Sequence, residues 1–154
     1  MPEIADQSFS AQLDCHYLLL LPEVVDRRTP LVVALHGFGA NPEDMLQVCA
    51  HLFANTAIIA SLQGPNQFFL DPSTREVGYG WITSRRPPES IRLHHEMVLH
   101  VLDEVGERFS VPPERRILTG FSQSVALNYR FAATHPQTIR GVLGICGGLQ
   151  ATGK

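Results

Sequence analysis

The stretch RILTGFSQS, residues Arg116 to Ser124, decides how this sequence folds. The run Arg116 to Thr119 is typical of a short buried strand, and the segment Gln123 to Thr134 has the apolar spacing of a helix. A sharp turn between the two would lift the Ser122 hydroxyl clear of the sheet edge. The Gln123 N–H would then lie at a helix N-terminus, where it can stabilise a developing oxyanion.

Two interpretations of Ser122 stay open at this point. In the first, Ser122 is a nucleophile, and the residues two before and two after it must be small because strand and helix pass closely. Gly120 meets this need fully, whereas Ser124 meets it in part because the usual G-x-S-x-G pattern has glycine there. In the second, Ser122 is only the N-cap of the helix, a common role for serine.

A glycine-rich stretch follows another predicted strand, Leu31 to Leu35. In His36-Gly37-Phe38-Gly39 the glycines would let the backbone turn, so that the Phe38 N–H supplies a second oxyanion donor. A plain strand-to-helix turn is one alternative. A dinucleotide site is another, but Pro42 stands where its third glycine would be, and Ala57 to Gln63 contains no acidic residue for a ribose.

Apolar runs alternate with amphipathic segments along the rest of the chain. Cys15 to Leu21, Thr56 to Ala60 and Ile139 to Cys146 are predicted strands, and Pro88 to Ser110 is the strongest predicted helix. This alternation predicts an α/β fold with a mostly parallel sheet flanked by helices. The stretch Gln63 to Pro88 is predicted to be a long irregular loop. Its aromatic part, which ends in Gly78 to Trp81, would line a pocket or cap the sheet, and its length and its position after a strand favour the pocket.

Three histidines on the long helix resemble a metal motif. His95 and His100 are five residues apart, about 140° around a helix, so their rings diverge, and the adjacent His94 points elsewhere again. We therefore predict solvated histidines on the helix surface and no metal site.

Composition limits the function classes. The 154 residues fit one domain, residues 1–154, and the formal charge of −3 argues against non-specific binding to nucleic acid. No apolar run approaches the ~20 residues of a membrane span, and the first ten residues lack the pattern of a signal peptide. Three widely spaced cysteines (Cys15, Cys49 and Cys146) favour a reducing, cytoplasmic location.

Taken together, the motifs resemble the phospholipase/carboxylesterase family of the α/β-hydrolase fold, which includes acyl-protein thioesterase-like enzymes. The matching pieces, in chain order, are Leu35 to Gly39, Gln63 to Pro65, Gly78 to Trp81, Leu118 to Gln123, Ala132 to Pro136 and Gly141 to Leu149. The resemblance implies a serine hydrolase that cleaves small-molecule carboxylic esters or thioesters without a cofactor.

The resemblance also implies roles for individual residues. Ser122 matches the nucleophile, and Phe38 and Gln123 match the two backbone donors of the oxyanion hole. Trp81 and Gly37 match positions close to the substrate.

One departure concerns the rest of the triad, which in this fold runs Ser, Asp, His along the chain. After Ser122 the sequence contains no Asp or Glu, and its only histidine, His135, would lie at the far end of a helix about 18 Å long. We therefore expect a C-terminally truncated hydrolase domain that lacks the last strands, roughly 50 to 70 residues. Ile139 to Cys146 would then be an exposed edge strand that favours self-association.

Three functions remain open. The chain is a carboxylic-ester hydrolase by lineage, a non-catalytic binding or scaffold remnant, or one part of an enzyme that a second polypeptide completes.

Overall fold

The computed structural model describes residues 1–148. The strands are β1 (Tyr17–Leu20), β2 (Leu31–Leu35), β3 (Ile58–Leu62), β4 (Asn66–Asp71), β5 (Glu76–Gly80), β6 (Arg116–Phe121) and β7 (Gly141–Ile145); the helices are α1 (Pro42–Phe53), α2 (Pro87–Arg108) and α3 (Gln123–Thr134). Leu149, the last residue of the predicted motif, and the tail Gln150 to Lys154 lie outside the described residues.

Five of the strands form one sheet in the order β1-β3-β2-β6-β7. β3, β2, β6 and β7 run parallel, and β1 is antiparallel to β3. The predicted mostly parallel α/β architecture is confirmed. β7 lies at one edge of the described sheet, where self-association stays a prediction.

β2 shows why its sequence is a continuous apolar run. Leu31, Val33 and Leu35 contribute to the larger core with α2 and α3, whereas Val32 and Ala34 pack into a second core with α1. Every residue of β2 is fully buried, because helices cover both faces of the sheet.

α1 begins where the sequence predicts. The Asn41 side chain accepts a hydrogen bond from the Asp44 N–H at 2.8 Å, and Pro42 is the first helical residue. α1 therefore starts two residues after the His36–Gly39 loop, so this loop must reverse the chain within the few residues between β2 and α1.

The prediction of an irregular stretch from Gln63 to Pro88 is wrong for much of its length. β4 and β5 form an antiparallel hairpin, and Asp71 closes its turn by accepting hydrogen bonds from the Ser73 N–H and hydroxyl. The hairpin is bonded to the loop after β2, since the Gly39 N–H donates to the Tyr79 carbonyl at 2.8 Å.

Within residues 1–148 there is no helix both long enough and apolar enough to cross a membrane. Cys15, Cys49 and Cys146 are free thiols.

Candidate active site

The Ser122 backbone is strained at the junction of β6 and α3. Its φ is 51° and its ψ is −107°, a sparsely populated conformation for a non-glycine residue that costs on the order of 1–3 kcal/mol. The residue is exposed. Although Ser122 occupies the N-cap position, its side chain makes no capping hydrogen bond. The geometry therefore disfavours the N-cap interpretation of this side chain.

The Ser124 hydroxyl holds this turn in place. Its Oγ donates to the Leu35 carbonyl at 2.9 Å and accepts from the Phe121 N–H at 3.0 Å. Ser124 is fully buried, so both bonds form away from water. The residue that replaces the usual glycine thus ties the turn to the end of β2.

Three glycines let the surrounding chain approach the turn. A Cβ on Gly120 would lie 2.7 Å from Ser124 Oγ, and one on Gly147 would lie 2.7 Å from the Ser122 carbonyl oxygen. A Cβ on Gly37 would lie 3.1 Å from the Phe121 ring and 3.6 Å from Ser122 Cβ. The predicted site residue Gly37 therefore packs directly against the serine turn.

Two backbone N–H groups are available beside Ser122. The Gln123 N–H is the first of α3 and has no acceptor within the helix. The Phe38 N–H follows Gly37 and finds no acceptor in residues 1–148. β2 and β6 are paired so that Leu35 faces Gly120, which brings both loops to the carboxyl edge of the sheet. The Phe38 ring is 61% exposed and stacks on Phe68 at 4.9 Å.

The Gln123 side chain fixes the loop after β5. Its Oε1 accepts from the Trp81 N–H at 2.9 Å, and its Nε2 donates to the Ile82 carbonyl at 3.0 Å. The Trp81 side chain is fully buried and donates to the His36 carbonyl at 2.9 Å. The predicted contact of Trp81 with substrate stays a prediction, and the burial of the side chain argues against it. The indole instead holds the loop that follows β2 through its bond to the His36 carbonyl.

His36 braces the loop that carries the Phe38 N–H. Its Nδ1 donates to the Gly37 carbonyl at 2.7 Å, and its Nε2 accepts from the Gly64 N–H at 2.9 Å. Burial lowers the pKa of His36, so the ring is neutral and this pair of bonds fixes its tautomer.

The prediction of solvated helix histidines is wrong for His94. Its side chain is fully buried, and Nε2 lies 3.1 Å from Asn128 Oδ1. Burial lowers its pKa to about 3. Asn128 lies directly under the turn, since a Cβ on Gly120 would meet Asn128 Nδ2 at 2.6 Å.

His100 does lie at the surface, where it pairs with Glu104. Residues 1–148 hold no cluster of three or more His, Cys, Asp or Glu that could bind a metal ion.

No histidine in the described part of the chain hydrogen bonds to the Ser122 hydroxyl. His36 has both ring nitrogens engaged, and His94 is buried with Asn128. His135 follows the last residue of α3, a helix of 12 residues and thus about 18 Å long. The structure brings together Gly37, Phe38, Ser122 and Gln123 but places no general base beside them.

Neither a scan against protein-family models nor a search of curated proteins finds a match. The solved carboxylesterase from Bacillus cereus matches with a TM-score of 0.69 and 15% identity over 90% of this chain and 63% of that one. The carboxylesterase from Mesorhizobium loti gives 0.68 and 17% over 90% and 64%.

A third match is the phospholipase/carboxylesterase from Dyadobacter fermentans, with a TM-score of 0.66 and 20% identity over 92% of this chain and 64% of that one. The chain has the α/β-hydrolase fold. It spans less than two thirds of the length of each of these three α/β-hydrolases.

The supporting roles of His94 and Asn128 were not predicted from the sequence. His94 lies three residues after Ile91 and four before Val98, so helical spacing already places it on the apolar face of α2. Asn128 follows Ser124 by four residues, and the same spacing would have put both polar side chains on the face of α3 that meets the sheet. The bonds of the Gln123 side chain leave no such signal, because their partners are some 40 positions earlier in the chain.

The Ser124→Ala substitution tests the bonds that hold the turn. It leaves the Phe121 N–H and the Leu35 carbonyl without their buried partner, so we expect the free energy of unfolding to fall by about 1–3 kcal/mol in denaturant titrations. Ser84→Ala is the matched control, since Ser84 is exposed, and should change stability by less than about 0.5 kcal/mol. A Ser124→Ala chain as stable as the wild type would contradict the assignment.

The burial of His94 predicts a pH dependence of stability. The unfolded chain binds a proton at His94 near the ordinary pKa of 6.5, whereas the folded chain resists protonation down to a pKa of about 3. Stability is therefore fully present above pH 6.5 and is lost as the pH falls toward 3, by at most about 1.4 kcal/mol per pH unit from this residue. Unfolding free energies between pH 7 and pH 4 should fall less steeply in His94→Gln than in wild type. The exposed His100→Gln control should keep the wild-type slope, and equal slopes in all three proteins would refute the prediction.

Proposed function

We propose that Ser122 is the nucleophile of a carboxylic-ester or thioester hydrolase. The observation that carries this proposal is the strained, exposed Ser122 next to two N–H groups, those of Phe38 and Gln123, that are free to bind an oxyanion. That several solved structures of the same fold are esterases supports it. The substrate is then a small-molecule ester or thioester, and the three free thiols are consistent with a reducing, cytoplasmic location.

The reaction follows from these positions. Ser122 Oγ attacks the carbonyl carbon while its proton passes to a general base, and the carbonyl oxygen becomes an oxyanion that accepts from the Phe38 and Gln123 N–H groups. The tetrahedral intermediate collapses, and the alcohol or thiol leaves with the proton from the base. Water then attacks the acyl-serine in the same way, which releases the acid and regenerates Ser122.

The general base must come from elsewhere. The sequence after Ser122 contains no Asp or Glu, and the described histidines that could act are engaged, buried or distant. In this proposal the 154 residues supply the nucleophile and the oxyanion donors. A polypeptide segment outside these residues supplies the histidine and its carboxylate. In one well-studied protease, loss of the whole triad lowers turnover by about 10⁶-fold.

A second candidate function is a binding module that keeps the cleft without the chemistry. The absence of a base beside Ser122 in residues 1–148 favours it. The two candidates differ in one property, because only the hydrolase needs a reactive geometry at Ser122.

Chemical rescue with imidazole separates the two candidates. If the oxyanion site is formed, free imidazole can replace the missing base, and we expect the rate of Ser122 labelling by a fluorophosphonate to rise by about tenfold or more. Intact mass and peptide mapping measure the labelling. Ser122→Ala should show no adduct with or without imidazole, and Ser10→Ala, at an exposed serine away from the site, should react like the wild type.

The absence of labelling would contradict the hydrolase proposal. A chain that is folded by circular dichroism but acquires no adduct at Ser122, even at high imidazole, would overturn the hydrolase proposal and leave the binding module.

A further inference from the structure

A groove of about 1110 Å³ begins at Ser122 and follows the exposed side of α3. Ala126 and Arg130 line it from α3, and Ile82, Pro88 and Ile91 line it from the loop after β5 and the start of α2. The serine turn is therefore one end of a longer binding surface.

The groove is lined by apolar side chains together with several neutral polar ones, and it carries a single full charge. Among the described lining residues, Arg130 is the only side chain that is charged at neutral pH, and its exposed guanidinium forms no ion pair within residues 1–148. An unpaired cation in a groove that also has apolar side chains, such as Ile82, Ile91 and Ala126, complements an apolar chain that ends in an anion.

A second cavity continues the groove beyond Arg130. It has a volume of about 460 Å³, shares Arg130 with the first, and adds His95 and His135, whose ring centroids are 5.5 Å apart. The other charged groups there, Arg92 and Glu96, neutralise each other at 2.8 Å. His95 Nε2 is buried without a hydrogen-bond partner in the described chain. The far end of the groove thus holds a free guanidinium and an unsatisfied imidazole nitrogen.

The spacing of Ser122 and Arg130 along α3 gives an approximate ligand length. Arg130 is eight positions after Ser122, which corresponds to roughly 12 Å along the helix axis. An extended alkyl chain of about ten carbons covers that distance.

We propose that the groove binds the acyl part of a substrate whose far end is a carboxylate, with the ester carbonyl at Ser122 and the carboxylate at Arg130. This inference rests on the proposed hydrolase function only for the nature of the group at Ser122. The groove, its apolar side chains and the unpaired Arg130 do not depend on catalysis.

Equilibrium binding to the Ser122→Ala chain tests the inference without requiring turnover. The probes are the monomethyl ester of decanedioic acid, which carries one carboxylate, and the neutral dimethyl ester. By calorimetry or by NMR titration, the monoester should bind more tightly, and Arg130→Gln should weaken the monoester by roughly fivefold while leaving the diester unchanged. The preference should shrink as salt is added.

Arg140→Gln is the matched control, because Arg140 is also exposed but does not line the groove. It should bind both probes like the parent. Equal affinity for the two probes, an equal loss for both in Arg130→Gln, or no binding at all would overturn the inference. If the monoester binds but Ser122 cannot be labelled, the hydrolase proposal is refuted and this inference stands. If Ser122 is labelled but the monoester does not bind, this inference is refuted and the hydrolase proposal stands.

Discussion

The hydrogen bonds of the Ser124 hydroxyl are the interaction on which the rest of the site depends. They connect the turn after β6 to the last residue of β2, 89 positions earlier in the chain. Because the strain at Ser122 is local, only contacts from outside the turn can maintain it. The same contacts set the spacing between the turn and the loop that carries the Phe38 N–H, so one buried hydroxyl positions both the nucleophile and an oxyanion donor.

A layer of buried polar groups extends this support beneath the surface. The His36 carbonyl accepts from the Trp81 indole, and the Gln123 side chain holds the backbone of the segment that begins at Trp81. His94 packs edge-on against Trp81 and bonds Asn128, which lies under the turn. Polar groups buried in this way are costly unless paired, so their presence directly below the site indicates positioning of the loops rather than core stability.

How much could be predicted from the sequence depended on the range of the interactions. β2 and α3 were located exactly, because a continuous β-branched run and a helical stripe are local patterns. The hairpin of β4 and β5 was not predicted, since β4 is largely exposed, β5 contains two glycines, and the hairpin owes its order partly to bonds with the loop at Gly39. The burial of Trp81 was not predicted either, because it depends on contacts that are distant in the sequence. Its partners, His36 and Gln123, are brought to it only by the completed sheet.

The central claim is that the serine turn and the oxyanion donors form one preorganised site, and a crystal structure of the phosphonylated chain tests it most directly. The account predicts an adduct on Ser122 with φ still positive and the phosphoryl oxygen about 2.7–3.1 Å from the backbone nitrogens of both Phe38 and Gln123. A Ser122 with negative φ whose hydroxyl caps α3, or an adduct whose phosphoryl oxygen points to solvent, would contradict it.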